Sequence, residues 1–299
     1  MKIIVLNQSN LIKDGQNNKL IYKFPNSITF KDNYIAVSSI SMFYSWFNIT
    51  SALQNNKWSY TWTVGATTTT YNIVVPDGLY EIADLNSFAQ FIMVQNGTYL
   101  IDSTGNDVFY FTLTNNTNRY AIQLSTYLIP TTLPTGWSLP SNFVGFPTTT
   151  QNCIVSFPAN FNGIVGFSVG FTSDANVSDS YVVPSNQTLI SKNSLGTITY
   201  LSTQSPEVQP NSNAIISISG IDNNLIQPSS VIYSLVPTVA FGALISEQPP
   251  QFMWNKMIDG TYNQLRLTIL GTNLQPLQIQ DPNITILLAV RGGDEYGGK

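Results

Sequence analysis

The chain has 299 residues, 43% of them hydrophobic, with a formal net charge of −4, one cysteine and no histidine. Without imidazole or a second thiol, it excludes a Ser-His-Asp or Cys-His nucleophile, an intrachain disulfide and any Cys-His metal cage. Charged residues make up 9%, against roughly a quarter in an ordinary globular protein, so little like-charge repulsion opposes contact and the composition favours assembly or ligand display over enzymology.

At the N-terminus, the apolar stretch Ile3–Leu6 is too short for a signal-peptide core. The longest apolar run, Ile286–Val290, is five residues, well short of a membrane span. These runs predict a soluble chain made without export. Leu20–Phe24 reads as a strand that ends at Pro25. Tyr34–Asn48 reads as a long strand or a bent pair: Ile35 and Val37 hold one phase, and Ile40, Met42, Tyr44 and Trp46 the other. The slip at Ser38-Ser39 marks a bulge. Trp58–Val64 alternates aromatic and hydroxyl side chains, as a half-buried strand does. The run Thr67–Thr70 is read as a hairpin tip, followed by a strand over Tyr71–Val75.

Asp84–Val94 breaks the β pattern, because Leu85, Phe88, Ile92 and Met93 recur at helical spacing. Asp84 is the expected N-cap and Asn96-Gly97 the stop. Further strands are expected over 108–113, 120–128, 164–169, 198–201, 214–219, 231–236, 265–270 and 284–290. Residues 130–204 carry six prolines and several glycine turns, which points to long loops and short strands. The closing Gly292-to-Lys299 stretch, GGDEYGGK, is too polar to bury and reads as a mobile tail over 293–299.

Carboxylates are the remaining catalytic candidates, since glycoside hydrolysis needs two across a cleft. Asp77, Glu81 and Asp84 cluster, but Pro76-Asp77-Gly78 is a turn signature and Asp84 a cap. Asp102–Asp107 (DSTGND) reads as a hairpin turn rather than an ion site, and Cys153 beside Ile154 and Val155 as a buried small hydrophobe. No catalytic residue, cofactor or metal site is therefore expected. Tyr44, Trp46, Trp58, Tyr60 and Trp62 fit either a sugar-stacking platform or core and interface material. Sequons at Asn7, Asn48, Asn96, Asn115, Asn176, Asn186 and Asn283 are expected by chance in so Asn-, Ser- and Thr-rich a chain. Charge is uneven: residues 1–57 carry net +4, residues 58–191 net −6 with Arg119 the lone base, and residues 192–299 net −2. Lys13, Lys19 and Lys23 are taken as a basic docking face, although a pI near 4.7 argues against a dedicated nucleic-acid binder.

The ordered motifs VLNQSNL, NNKLIYKFP, YIAVSSISMFYSWFNIT and NNKWSYTW, then VPDGLYEIADLNSF and DPNITILLAVR, resemble the minor capsid (penton) proteins of virophages and Polinton-like viruses. The likeness covers about residues 1–128 and 205–291; residues 130–204 do not match. It implies an antiparallel jelly-roll subunit forming a homopentamer at each vertex of an icosahedral capsid. It further implies contact with a double jelly-roll major capsid protein, and a place in the virion, assembled inside the infected host cell. It brings no catalytic residues. It also admits contact of the basic N-terminal segment with packaged genome, and of the protein with a host receptor or glycan.

The fold expected is all-β: a single jelly roll, an antiparallel sandwich with Greek-key connections. Residues 1–60 and 205–292 would form it, with 61–204 an inserted, mostly-β domain containing one short helix. The alternative is a carbohydrate- or receptor-binding jelly roll of fibre-head or lectin type. A third is a glycoside hydrolase using Glu81 or Asp84.

Overall fold

Short alternating runs, bounded by Asn, Pro and Gly, form strands along the whole chain. The computed structural model describes residues 1–14, 17–173, 189–192, 195–208, 212–223 and 228–293. In chain order the strands begin with β1 (Lys2–Leu6), β2 (Leu11–Lys13), β3 (Lys19–Phe30) and β4 (Asn33–Phe43). Next come β5 (Lys57–Val64), β6 (Thr67–Val74) and helix α1 (Ile82–Asn96). Two-residue strands β7 (Leu100–Ile101) and β8 (Asp107–Val108) precede β9 (Phe111–Asn116) and β10 (Ala121–Thr126). Then follow β11 (Leu128–Ile129), β12 (Gln151–Asn152), β13 (Val155–Ser156), helix α2 (Asn162–Val165), β14 (Leu189–Lys192) and β15 (Ile198–Leu201). The last are β16 (Ala214–Ile218), β17 (Val231–Leu235), β18 (Leu244–Glu247), β19 (Asn255–Lys256), β20 (Gly260–Leu270) and β21 (Thr285–Gly292).

Two compact units result: Met1–Phe47 with Pro210–Lys299, and Asn48–Gln209. In the first, one sheet runs β1-β21-β4-β18, with β19 also on β4, and the other runs β17-β16-β20-β3-β2. The pairings nest. β1 pairs with β21, β3 with β20, β4 with β18 and β16 with β17, all antiparallel. Closure comes from β21 on β4 and β20 on β16. A long hairpin rolled up in this way is an eight-stranded jelly roll, extended by β2 outside β3. Ile35, Val37, Ile40, Met42, Trp46, Ile216, Leu267, Ile286 and Leu288 are among the residues of its core.

The expected bulge is present. Val37 faces Leu288 and Ser39 faces Leu287, which leaves Ser38 as the extra residue. That extra residue resets the pleat, so Ile35 and Val37 before it and Ile40 and Met42 after it enter the same core. Pro25 does not end its strand, contrary to expectation: β3 continues to Phe30. The register shift of β20 between Tyr262 and Gln264 falls beside Pro25, and β2 pairs only with Leu20–Tyr22. Pro25 therefore sits at a bulge and on an open edge, where its missing N–H is tolerated.

The second unit holds a three-stranded sheet β13-β5-β6 and a four-stranded sheet β14-β15-β10-β9. Trp58, Tyr60, Trp62, Phe111, Phe157 and Phe161 fill its core together with Leu85, Ala89 and Met93 of α1. A division at 60/61 would cut β5, which pairs with β6 from Lys57 to Val64, so the compact unit begins earlier, at Asn48. Thr67–Thr70 is strand, paired with Thr61–Val64; the tip is Gly65-Ala66, where Gly65 takes φ +59°. The strand expected at 164–169 is instead the short helix α2, ended by left-handed Gly166. Helix α1 starts two residues before the expected cap: extended Glu81 is the N-cap, and Asp84, at the third helical position, accepts the Glu81 N–H at 2.8 Å. Of the tail expected over 293–299, residues 294–299 lie outside the described residues, as do the sequons at Asn176 and Asn186.

Candidate assembly faces

Strand register decides which side chains share a face, because directly opposed residues in an antiparallel pair point the same way. On β3, Leu20 and Phe24 are buried in the jelly-roll core, which turns Lys19, Ile21 and Lys23 outward. Their partners on β20 are Thr268, Arg266 and Gln264 respectively. Arg266 thus lies between the two lysines on the exposed face, about 7–8 Å diagonally from each by ordinary strand spacing. None of the three makes an ion pair among the described residues. No Asp or Glu occurs in any of the five strands of this sheet. Lys13 departs from the expected set, since it opposes Leu20 and so projects from the other face, at the sheet edge. Arg266 stands more than 240 residues from Lys23 in the sequence, and only the β3–β20 pairing joins them.

The outer face of the other sheet has the opposite character. Ile3 and Val5 of β1 oppose Ala289 and Leu287, and Phe43 of β4 opposes Leu244. Ser39 and Ser41 complete the surface, so from Leu287 to Ala289 of β21 and their neighbours on β1, β4 and β18 this face carries no charge. Ile3 is 55%, Val5 41% and Leu244 48% exposed, a high cost in apolar area left in water. Charge returns at one end, where the Arg291 guanidinium lies 4.2 Å from the Trp254 ring centroid and Lys256 Nζ lies 3.4 Å from Asp32. The hydrogen bond and charge of Asp32 raise the Lys256 pKa.

Both edges of this sheet are open among the described residues, since β1 pairs only with β21 and β18 only with β4. The β1 edge borders a groove of about 560 Å³ lined by Phe24, Ile28 and Phe30. Past β18, Pro249-Pro250 supplies no N–H donors and interrupts pairing until β19; Phe252 and Met253 of that interruption are exposed. The two edges are both mostly apolar but unlike each other, with Lys2 and Arg291 beside the groove at one and Glu247 ending the strand at the other.

The acidic candidates are spent on structural hydrogen bonds. Asp77 accepts from Ser51 N–H at 2.6 Å and from its hydroxyl at 3.1 Å, while Glu81 and Asp84 form the capping box of α1. Asp102 accepts from the backbone of Thr104 and Asn106 and from the Thr104 hydroxyl, which together hold its pKa down at about 2. Among the described residues, no three His, Cys, Asp or Glu side chains are grouped to hold a metal ion. The sugar-platform reading is overturned for all five aromatics: Tyr44, Trp46, Trp58, Tyr60 and Trp62 are buried. Asn48 of the sequon set is buried too, its amide donating to the Tyr80 and Val208 carbonyls.

Cys153 is fully buried, donates to the Thr61 carbonyl at 3.1 Å, and has its pKa pushed strongly up by desolvation. Since the thiolate is the reactive form, Cys153 is expected to stay unlabelled by a thiol reagent at pH 8 for as long as the unit is folded. Labelling should appear only across the denaturant transition; stoichiometric labelling of native protein would contradict this placement.

No protein-family model matches the chain, and no curated protein matches it. No described helix is long and apolar enough to cross a membrane. Among solved structures, the chain is similar to the mavirus penton protein, at 11% identity over 97% of this chain and 98% of that one, with a TM-score of 0.43. It is also similar to a chain of the Sputnik virophage structure, at 10% identity over the full length of both, with a TM-score of 0.40.

Proposed function

We propose that this protein is a non-enzymatic minor capsid subunit that forms homopentameric pentons at icosahedral vertices and docks on the major capsid protein. The observation that carries the reading is the jelly roll whose sparsely charged sheet ends in two open, mostly apolar and dissimilar edges. Contact between unlike edges of successive copies is heterologous, and such contacts close into a ring when the rotation fits. Low surface charge removes the repulsion that would oppose it. The basic sheet bearing Lys19, Lys23 and Arg266 is then free to meet an anionic partner, which we assign to the double jelly-roll major capsid protein, with packaged genome the other candidate at this face. The site of action is the virion vertex, assembled inside the host cell.

The test is recruitment of the chain to shells of the major capsid protein. Attraction by exposed cations is screened beyond about 8–10 Å at 0.1–0.15 M salt, so recruitment should fall as salt rises. The triple variant Lys19→Gln, Lys23→Gln, Arg266→Gln should bind less at low salt and lose the salt dependence. Recruitment indifferent to both would remove the basic sheet from the docking face.

A further inference from the structure

The inserted unit carries an open groove of about 530 Å³, within the usual range of small-ligand sites, about 300–1,000 Å³. We infer that it is a binding site for a neutral saccharide, formed where Phe109, Tyr127 and Trp137 offer half-buried rings beside the polar groups of Gln90, Asp107 and Thr112. Each ring is fixed from behind. Phe109 stacks on Tyr99 with centroids 6.0 Å apart, and the Tyr127 hydroxyl lies 3.1 Å from the Thr112 hydroxyl. Trp137 sits on the turn closed by its N–H to the Pro134 carbonyl at 3.1 Å, and the next residue, Ser138, exchanges two backbone hydrogen bonds with Ile101. Ile101 in turn pairs with Asp107, so one hairpin holds both the tryptophan and the carboxylate.

Three of the polar groups have no other employment. Among the described residues, the Gln90 amide, the Asp107 carboxylate and the Trp137 indole N–H make no hydrogen bond to the protein. An apolar ligand would cover these groups without partners, which is costly. An anion would meet Asp107 with no base in the groove, Arg119 being the sole base between residues 58 and 191. A quaternary ammonium ion would use the rings and Asp107 but leave the Gln90 and indole donors idle. A pyranose uses everything present: its C–H face stacks on a ring while its hydroxyls donate to the carboxylate and accept from the amide and indole. This site is independent of the assembly reading, and the jelly-roll unit contributes no residue to it.

The full chain should be applied to a printed array of neutral oligosaccharides ending in hexose or N-acetylhexosamine, with sialylated and sulfated glycans alongside. Retention on at least one neutral glycan is expected. Trp137→Ala and Asp107→Asn should each weaken it by about tenfold or more, as loss of a charged hydrogen bond or its equivalent does. Asp107 is exposed and its carboxylate unbonded, so Asp107→Asn keeps the fold even if the tryptophan variant does not. No retention on neutral glycans, retention unchanged by Asp107→Asn, or preference for the anionic glycans would each overturn the assignment. So would indole fluorescence quenching by tetramethylammonium that the neutral sugars fail to reproduce.

Discussion

Trp46→Ala is expected to lower the stability of the jelly-roll unit by about 3–5 kcal/mol, the usual loss when a buried tryptophan is truncated. Trp46 is 1% exposed, bridges to Ile279, and has its ring 4.5 Å from that of Tyr44. Closing the cavity would require the segment just past β4 to move inward, and its neighbours are tied down: the Tyr44 carbonyl accepts from the Gly242 N–H at 2.8 Å, and the Ser45 carbonyl and hydroxyl accept from the Gln280 and Asp281 N–H groups at 3.2 and 3.0 Å. The site therefore has little freedom to collapse, which places the loss in the upper part of that range. Urea denaturation followed by circular dichroism measures it, with Val169→Ala, a 72% exposed position, as the control. The control should stay within about 0.5 kcal/mol of the parent. Equal midpoints for Trp46→Ala and the parent would mean that the side chain is not core.

The second large effect separates two tryptophans of one strand. Trp58 and Trp62 are both buried on β5, at 2% and 1% exposure. Trp62 Nε1 donates to the Gly145 carbonyl at 2.9 Å, whereas Trp58 Nε1 has no partner among the described residues. Trp62→Phe removes ring volume and also strands a carbonyl, and an unsatisfied buried group costs about 1–3 kcal/mol. Trp58→Phe removes a comparable volume together with an N–H that was already unsatisfied, so part of its packing loss is offset. The phenylalanine at 58 also keeps its stack on Phe161, whose ring is 5.7 Å away at 13°. Trp62→Phe should therefore be the more damaging by about 1–3 kcal/mol. Denaturation midpoints in the reverse order would contradict the hydrogen-bond assignment.

Strand positions and the core were legible where alternation ran long. Tyr34–Phe43 and Trp58–Val64 announce themselves through β-branched and aromatic residues every second position, and even the Ser38 bulge is written as a phase slip. β18 was not legible: Leu-Ile-Ser-Glu is too short to show a period, and its strand exists because β4 offers an open edge. Likewise α2 reads as an apolar strand, Ile164–Val169, until Gly166 adopts φ +69° and stops it. The faces were the least legible feature. Charge along the chain suggested a basic N-terminal segment, but which lysines share a surface depends on pairing. Lys13 leaves the group and Arg266 enters it through registers no linear pattern encodes. Glu81 and Asp84 needed only local rules, since they act within one helix cap, whereas the partner of Asp77, Ser51, is a non-local contact that no turn signature announces.

Assembly through the open edges is tested most directly by the mass of the purified chain in solution, by sedimentation equilibrium or native mass spectrometry. The expected result is a closed species of five subunits of 33.0 kDa, reduced to monomer by Val5→Lys at one edge or by Leu244→Lys at the other. A chain that remains monomeric at every concentration, or a pentamer untouched by both substitutions, would contradict assembly through these edges.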